Sequence, residues 1–407
     1  MNPRKEWRDV WDLLEEAVRL RASDVMVREG LHISFKIHGS WVAYSPEVAD
    51  SDTVVRALNE IGKEVVTDGR GSFYERLRHE KEIDFSVASP NGLRFRVNAF
   101  MTAMGGGFVA RVINTSPPRL EELGFKRISI DAIYRLIQKK AGLVLVTGPT
   151  GSGKSTTLAA IIQRINETSH SHIVTIEDPI EFLFTPVKSL INQREVGGHT
   201  KSFIHALRAA LRQAPDVILV GEMRDTETIK AALTAAETGH LVFGTLHTRS
   251  AAETVSRIVD ALPAGDKEVA RQQLASSLSM IIAQKLVPNK DKSRLVLAYE
   301  LMLNKTPFAQ AILGSEKEGN VWAKFYDALK ASANEGMQAI EDHLAELVAA
   351  GEVEEAVGRA YANRVDIFER ELQRLRASGQ RFASAEKVED TSFPLKENPI
   401  SKLLGGK

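Results

Sequence analysis

The chain has 407 residues, with 53 basic and 53 acidic side chains, 43% hydrophobic residues and no cysteine. This length suffices for two or three domains, and the mixture of apolar and charged residues is typical of a folded globular protein. The zero net charge and the 6% aromatic content argue against a surface built to bind nucleic acid. The absence of cysteine excludes disulfides, iron–sulfur clusters and thiolate zinc sites.

The first 28 residues mix both signs of charge and lack the continuous apolar region of a signal peptide. No window reaches the roughly 18 uninterrupted apolar residues that a membrane-spanning helix needs. We therefore expect a cytoplasmic protein whose contact with a membrane is peripheral.

The amino-terminal part predicts a small α/β domain over residues 1–113. Trp11, Leu14 and Val18 have helical spacing, and residues 25–42 carry β-branched residues separated by turn signals. Further along, residues 93–100 alternate apolar and polar side chains.

Three glycines at 105–107 then precede a second apolar segment over residues 108–113, which predicts a β-hairpin. The following segment, 114–119, contains two adjacent prolines and is predicted to be the interdomain linker.

Residues 120–376 are predicted to form a second α/β domain. An apolar strand over residues 143–146 is followed by a helix over residues 154–166. Further strands are predicted at 172–176, 217–220 and 241–246, with helical stretches between them. This alternation of strands and helices predicts a mostly parallel sheet.

From residue 266 onward the pattern predicts helices. One apolar stripe comprises Leu274, Leu278, Ile281 and Ile282, and similar stripes run over residues 337–348 and 365–375. Ordinary core packing explains such stripes more simply than a subunit contact. The polar segment 377–407 is predicted to be a disordered tail.

A GxxxxGK[ST] motif lies between the apolar strand and the helix, where a phosphate-binding loop must lie. It comprises Gly148, Pro149, Thr150, Gly151, Ser152, Gly153, Lys154, Ser155 and Thr156. Backbone N–H groups of such a loop surround the β-phosphate, and the helix N-terminus favours negative charge. The lysine side chain bridges β- and γ-phosphates, and the Ser155 hydroxyl is a candidate Mg²⁺ ligand. The sequence thus predicts ATP and Mg²⁺ as cofactors.

Two carboxylates that follow predicted strands are candidates to position the attacking water. Glu222 ends the segment Val217–Glu222 as a carboxylate ends a Walker B strand, although Gly221 occupies the usual position of a magnesium-binding aspartate. Glu177 ends a second apolar strand. Ligands of open α/β sheets gather at the carboxyl ends of the strands, so both glutamates are expected near Lys154. Either glutamate alone could equally be a solvated strand end.

His247 follows a third strand and could sense the γ-phosphate. A single histidine is more often structural, so its position alone carries little weight.

Several segments resemble the secretion-type ATPases of type II secretion, type IV pili and related transfer systems. The sequence Leu211–Asp225 is similar to their signature, Glu177–Pro179 resembles their Asp box, and Gly244–Thr248 resembles their His box. The segments Gln193–Gly197 and Ala235–Thr248 are very similar to PilT-like pilus retraction ATPases. This resemblance covers most of residues 20–365.

The resemblance implies a homohexamer in which each subunit joins a PAS-like amino-terminal domain to a RecA-like ATPase domain with carboxyl-terminal helices. It implies catalytic roles for Glu222, Glu177, His247 and Lys154, with magnesium held by Ser155 and, through water, Glu177. It also implies that arginines of the amino-terminal domain reach the nucleotide, and these map to Arg94, Arg96 and Arg111. Arg94 and Arg96 are two residues apart, hence on one strand face, and guanidinium groups suit phosphate oxygens.

The expected function is a cytoplasmic Mg-ATP-hydrolysing motor that powers type IV pilus retraction with an inner-membrane platform component. Two departures bear on this. The missing cysteines disfavour the assembly-type motors, which carry a four-cysteine zinc site. The segment 307–330, with a predicted charged loop at 313–320, differs from that of retraction motors.

An ATPase of type IVB secretion or conjugation is therefore the first alternative. A nucleic-acid translocase and a nucleotide-gated adaptor without useful turnover are further alternatives, the former disfavoured by the neutral charge.

Overall fold

A computed structural model describes residues 9–37, 40–63, 71–113, 117–314 and 318–378. The chain divides into an amino-terminal unit, Met1–Ser116 with Glu181–Leu183, and a carboxyl-terminal unit, Pro117–Ile180 with Phe184–Lys407. Part of the predicted linker, at 114–116, and nearly all of the predicted tail, from 379 onward, lie outside the described residues.

The amino-terminal unit combines an antiparallel sheet with helices. Its elements are α1 (Val10–Arg19), β1 (Asp24–Arg28), β2 (His32–Ile37), β3 (Ser40–Val48), α2 (Ser51–Ile61), α3 (Phe73–Glu80), β4 (Glu82–Ala88), β5 (Arg94–Thr102) and β6 (Gly105–Ile113). The sheet has the order β3-β2-β1-β6-β5-β4. Helix α1 begins where the Asp9 carboxylate accepts a hydrogen bond from the Asp12 backbone N–H at 2.8 Å, an N-cap.

The predicted hairpin is formed by β5 and β6, which pair in antiparallel register. β6 begins at Gly105, three residues before the predicted start, because the glycines continue the pairing. The buried side chains Phe95, Val97 and Ala99 of β5 join the core formed with α1 and α2. The opposite face of β5 therefore carries the polar side chains.

The carboxyl-terminal unit is built around a larger sheet. Its elements are α4 (Arg127–Leu136), β7 (Gly142–Thr147), α5 (Lys154–Thr168), β8 (His172–Glu177), β9 (Leu190–Glu195), α6 (Phe203–Ala210), β10 (Val217–Val220), α7 (Thr226–Glu237), β11 (Leu241–Leu246), α8 (Ala251–Asp260), α9 (Lys267–Ser277), β12 (Leu278–Pro288), β13 (Leu295–Leu303), α10 (Thr306–Leu313), α11 (Glu318–Ala331), α12 (Ile340–Ala349), α13 (Glu355–Tyr361) and α14 (Val365–Ser378), with short 3-10 turns at Leu120–Glu122, Ala264–Asp266 and Ala333–Glu335.

Seven strands form this sheet among the described residues, in the order β13-β12-β7-β11-β10-β8-β9. All neighbours pair in parallel except β12 and β13, as the alternation of strands and helices predicted. The interior strand β7 is buried on both faces. Leu143 and Leu145 join one hydrophobic core, whereas Val144 and Val146 join the core on the opposite face. Helices on both sides explain why these strands are continuously apolar.

The predicted helical stripe through Leu278, Ile281 and Ile282 is wrong. Helix α9 ends at Ser277, and the following residues form β12, an interior strand of the sheet. Ile281 and Ile282 point to opposite cores. A strand buried on both faces shows no alternation of polar and apolar residues, so its apolar positions also satisfy helical spacing. Strands β9 and β13 were likewise not predicted.

The other two predicted helical stripes correspond to α12 and α14, although α12 begins only at Ile340. The predicted charged loop at 313–320 is partly wrong, because α11 begins at Glu318; residues 315–317 lie outside the described part of the chain. Among the described residues, no helix is long and apolar enough to cross a membrane.

Burial of His343 makes the stability of the carboxyl-terminal unit depend on pH. Its Nδ1 accepts a hydrogen bond from the Tyr299 backbone N–H at 3.3 Å, and the two rings pack edge to face. Burial, with a smaller effect of the Lys126 charge, lowers the pKa of His343 from 6.5 to about 3. The unfolded chain therefore binds a proton near pH 6.5 that the folded chain takes up only near pH 3, and stability falls as the pH falls between these values.

We expect His343→Asn, which keeps a hydrogen-bond acceptor, to remove this pH dependence. Relative to the variant, the wild type should lose about 2 kcal/mol of unfolding free energy between pH 7.5 and pH 5. Urea unfolding of both proteins at the two pH values measures the difference. If the difference in unfolding free energy between wild type and variant is the same at both pH values, the fold does not keep His343 neutral.

Candidate nucleotide site

The predicted phosphate-binding loop connects β7 to α5, as its motif requires. Gly148, Gly151 and Gly153 have φ values of 144°, 78° and 85°, in the region that favours glycine. The Lys154 ammonium donates hydrogen bonds to the carbonyl oxygens of Gly148 and Pro149, at 2.9 and 3.0 Å. Lys154 thus begins α5 with its charge held against the loop.

The loop packs closely on β12. A Cβ atom at Gly148 would lie 2.2 Å from the Gln284 carbonyl oxygen and 2.6 Å from the Ser152 Oγ. The Gln284 side-chain amide donates to the Ser152 carbonyl at 2.7 Å, and Gln284 is 2% exposed. The Ser152 Oγ is itself buried without a hydrogen-bond partner. This backbone can therefore keep its curved conformation only with glycine at position 148, and the conformation fits a polyphosphate.

The strand ends that carry the acidic residues lie at the same edge of the sheet as this loop. Thr147 pairs with Leu246 in β11, and Val220 of β10 pairs with Ile176 of β8. β10 also pairs in parallel with β11. The segments that follow these strands contain the loop, His247, Glu222 and Glu177. The predicted convergence at the carboxyl edge follows from this register.

Glu222 and His247 are in direct contact. The His247 Nε2 lies 2.8 Å from Glu222 Oε1, and Arg224 forms an ion pair with the same carboxylate. The Glu222 side chain is 19% exposed. Partial burial raises its pKa, but the hydrogen bonds and charges of Arg224 and His247 outweigh that effect, and the net shift is downward. Glu222 is thus an ionised carboxylate near neutral pH, suited to orient a water molecule through hydrogen bonds.

Glu177 is held by neighbours on its own and the adjacent strand. Its Oε1 accepts hydrogen bonds from the Thr175 hydroxyl at 2.6 Å and from the Gln193 amide at 3.3 Å. Gln193 lies on β9, which pairs with β8. These donors orient the carboxylate at the strand end.

Close packing explains the glycine at the Walker B position. A Cβ atom at Gly221 would lie 3.0 Å from the Ile176 carbonyl oxygen and 3.2 Å from the Glu177 Cα. The Gly221 N–H donates to that carbonyl at 2.7 Å. An aspartate here would push β8 and β10 apart. The Gly221 backbone thus lies directly against the end of β8, which carries Glu177.

The predicted magnesium ligands are one hydroxyl and one carboxylate, those of Ser155 and Glu177. Within the described ranges, no group of three or more histidine, aspartate or glutamate side chains is arranged to hold a metal ion. Ser155, in the first turn of α5, and Glu177 are both half-buried. A magnesium ion would need phosphate oxygens and water to complete its ligands, as is usual for this ion.

The predicted arginines all lie in the amino-terminal unit. Arg94 and Arg96 share the outer face of β5, and Arg96 pairs with Arg111 in the β5–β6 register. Arg111 forms an ion pair with Asp24 at 2.8 Å, and its side chain is 66% exposed. The Arg94 Nε is buried without a hydrogen-bond partner. Their contact with nucleotide stays a prediction.

Comparison with known proteins assigns the family. The family described as "Type II/IV secretion system protein" matches residues 7–392. The chain belongs to this family.

Two members are closely similar in sequence. A twitching motility protein of Neisseria gonorrhoeae is 50% identical over 287 residues, which cover 70% of this chain and 74% of that protein. The type IV pilus retraction ATPase PilT of Pseudomonas aeruginosa is 44% identical over 347 residues, which cover 84% of this chain and 95% of that protein.

Two solved structures share the fold along nearly their whole length. The crystal structure of the pilus retraction motor PilT with bound ADP has a TM-score of 0.76 and 37% identity, covering 89% of this chain and all of that one. The ATPase DotB of Legionella pneumophila has a TM-score of 0.72 and 29% identity, covering 88% and 97%. These matches confirm the predicted family, the α/β fold class and the ATPase class of this type II/IV secretion system protein.

Sequence reasoning assigned no role to Arg224 or Gln284. Arg224 lies within the family signature, and its position two residues after Glu222 could have suggested the ion pair. Gln284 contacts the loop from 132 residues further along the chain, in a segment whose secondary structure was wrongly predicted. No local signal identifies such a contact.

We expect Gly148→Ala to weaken ATP binding at least about tenfold, because the new Cβ atom displaces either the loop or β12. Gly265→Ala is a matched control, since a Cβ atom there meets nothing within 4 Å. Titration with a fluorescent ATP analogue measures the affinity, and thermal unfolding checks the fold. Unchanged affinity in Gly148→Ala would show that the loop tolerates the displacement.

Proposed function

We propose that this protein is a Mg²⁺-dependent, hexameric ATPase motor that powers type IV pilus retraction. The observation that carries the proposal is the ionised Glu222, held by His247 at the sheet edge that also carries the phosphate-binding loop. The similarity to the twitching motility protein and to PilT supports the choice of machine.

Each residue of the site has a proposed task. Backbone N–H groups of the loop and the Lys154 ammonium bind the β- and γ-phosphates. Magnesium, when bound, neutralises phosphate charge; the Ser155 hydroxyl would hold it directly and Glu177 through water. Glu222 orients the attacking water, and its lowered pKa keeps it able to accept a hydrogen bond. His247 transmits the state of the γ-phosphate through its contact with Glu222.

The domain organisation is part of the proposal. Residues 1–113 form the PAS-like domain and 120–376 the RecA-like domain with its carboxyl-terminal helices, and residues 114–119 link the two. Arg94, Arg96 and Arg111 supply guanidinium groups to the nucleotide from the PAS-like domain. Hydrolysis would then change the angle between domains and deform the ring.

We further propose that the motor works at the cytoplasmic face of the inner membrane, on a platform component of the pilus machine. Contact with the membrane is peripheral and no nucleic acid takes part. The neutral net charge supports this choice over a nucleic-acid translocase, which would show DNA-stimulated hydrolysis and tighter DNA binding as salt is lowered.

An ATPase of type IVB secretion or conjugative transfer is the second candidate. The divergence of residues 307–330 from retraction motors favours it. Neighbouring genes for pilins would support retraction, whereas conjugation or effector-secretion components would support the alternative.

The decisive variant for the chemistry is Glu222→Gln. We expect it to bind ATP with wild-type affinity and to lose turnover by about a hundredfold or more, since an amide orients water poorly and accepts no proton. Steady-state phosphate release and nucleotide titration measure the two effects. Glu268→Gln, at an exposed position on α9, serves as the control. Wild-type turnover in Glu222→Gln would refute the catalytic assignment, and near-zero turnover of the wild type would favour an adaptor.

The ring can be tested by mass. In ATP and Mg²⁺ at micromolar concentration, we expect a species six times the mass of the 44.9 kDa chain. Light scattering after size-exclusion chromatography measures it, with Lys154→Ala as a variant expected to lose nucleotide-dependent assembly. A monomer under all of these conditions would contradict the hexamer.

A further inference from the structure

The turn between α13 and α14 is tied to the interior of the sheet by a buried lysine. Lys285 lies on β12 and is 9% exposed. Its ammonium donates hydrogen bonds to the Tyr361 carbonyl and to the Asn363 Oδ1, each at 2.6 Å. One side chain thus spans from an interior strand to the carboxyl-terminal helices.

Asn363 extends this connection to the segment that follows His247. Its Nδ2 donates a hydrogen bond to the Arg249 carbonyl at 3.1 Å. Arg249 stands two residues after His247 and immediately precedes Ser250, the N-cap of α8. The Asn363 amide therefore links Lys285 at its oxygen and the His247 segment at its nitrogen.

The same strand also supports the phosphate-binding loop. Gln284, adjacent to Lys285, donates to the Ser152 carbonyl. Neighbouring residues of β12 point to opposite faces of the sheet. Gln284 thus fixes the loop on one face of the sheet, while Lys285 fixes the turn on the other. Both contacts are made from the same strand, β12.

Two buried carboxyl groups, those of Glu341 and Glu300, lie near Lys285, and burial raises the pKa of both, that of Glu300 to about 8. Burial lowers the pKa of Lys285, and the charges of Glu341 and Glu300 act in the opposite direction. Glu300 accepts a hydrogen bond from the Ala251 backbone N–H at 2.6 Å, and Glu341 accepts one from the Arg364 N–H at 3.1 Å. These groups hold the same two segments, the start of α8 and the turn before α14.

A cavity of about 740 Å³ lies against this connection. Its lining includes Lys285 and Asn363, with Arg249, Trp322 and Arg364, and residues 149–152 of the loop. Its lining does not include Lys154, Glu177 or Glu222, so it flanks the predicted phosphate position. The hydrogen-bonded connection therefore borders open space, while Val287 of the same strand packs in a hydrophobic cluster with Tyr361 and Ala362.

We propose that Lys285 and Asn363 are positioning residues that hold the segment 247–251 in place relative to the phosphate-binding loop. Through them, the carboxyl-terminal helices set the geometry of the His247–Glu222 contact. The inference rests on the proposed role of that contact in hydrolysis.

Asn363→Asp tests the link to Arg249. The aspartate still accepts a hydrogen bond from Lys285, but it cannot donate one to the Arg249 carbonyl and places negative charge beside that oxygen. We expect kcat to fall about tenfold while the KM for ATP stays within about twofold of wild type. Amide hydrogen exchange over residues 248–251 should become faster, and the unfolding temperature should change little.

A second pair of variants tests the link from Lys285 and does not depend on how well Asn363→Asp folds. Lys285→Met removes both donated hydrogen bonds and should lower kcat as Asn363→Asp does, while Lys285→Arg retains donors and should restore most of the loss. Lys290→Met, at an exposed position of the same hairpin, is the matched control and should leave kcat unchanged.

Wild-type exchange over residues 248–251 in both Asn363→Asp and Lys285→Met would overturn the proposal. Faster exchange with both kcat and KM unchanged would support the positioning role and would instead contradict the proposed role of His247 and Glu222 in hydrolysis. A raised KM at constant kcat would also overturn the proposal, because it would indicate a defect in nucleotide binding.

Discussion

The parallel register of β7, β11, β10 and β8 is the constraint on which the site depends. The predicted site residues lie at or just beyond the ends of these strands, not in their interiors. Thr147 pairs with Leu246, while Val220 pairs with Ile176 on one side and with Gly244, two residues before Leu246, on the other. The segments that follow these strands therefore emerge at one edge. Hydrophobic burial on both faces of the sheet fixes this register, since a slip by one residue would exchange the side chains between the two cores.

Both close backbone packing and charged side chains determine the geometry at that edge. Glycine at 148 and 221 lets backbone approach backbone at distances that a side chain would forbid. Beside these close contacts lies a cluster of polar and charged side chains, in which Glu222 contacts both His247 and Arg224. Such a cluster needs little reorganisation when charge moves during a reaction, which is what electrostatic preorganisation requires.

Local sequence patterns predicted the parts of the structure that are themselves local. The phosphate-binding loop, the strands ending at Glu177 and Glu222, and the β5–β6 hairpin all carry signals within about ten residues. The prediction for the segment that forms β12 was wrong because burial on both faces removes the alternation that identifies a strand. No role was predicted for Gln284 or Asn363, for a different reason. Their partners, Ser152 and Arg249, are distant in sequence and only the tertiary fold brings them near. The resemblance to retraction ATPases predicted the site residues, but it did not predict these supporting contacts.

The position of β12 beside β7 has a consequence for biosynthesis. The loop at residues 148–153 leaves the ribosome long before Gln284 does. Gln284 packs against that loop but lies 132 residues further along the chain than Ser152. Strand β7 also lacks β12, one of its two neighbours in the sheet, until that strand has been synthesised. During synthesis the loop therefore exists for many seconds without its support, at an elongation rate of about 5–20 residues per second. The loop therefore gains its support from β12 late, when most of the polypeptide has already been translated.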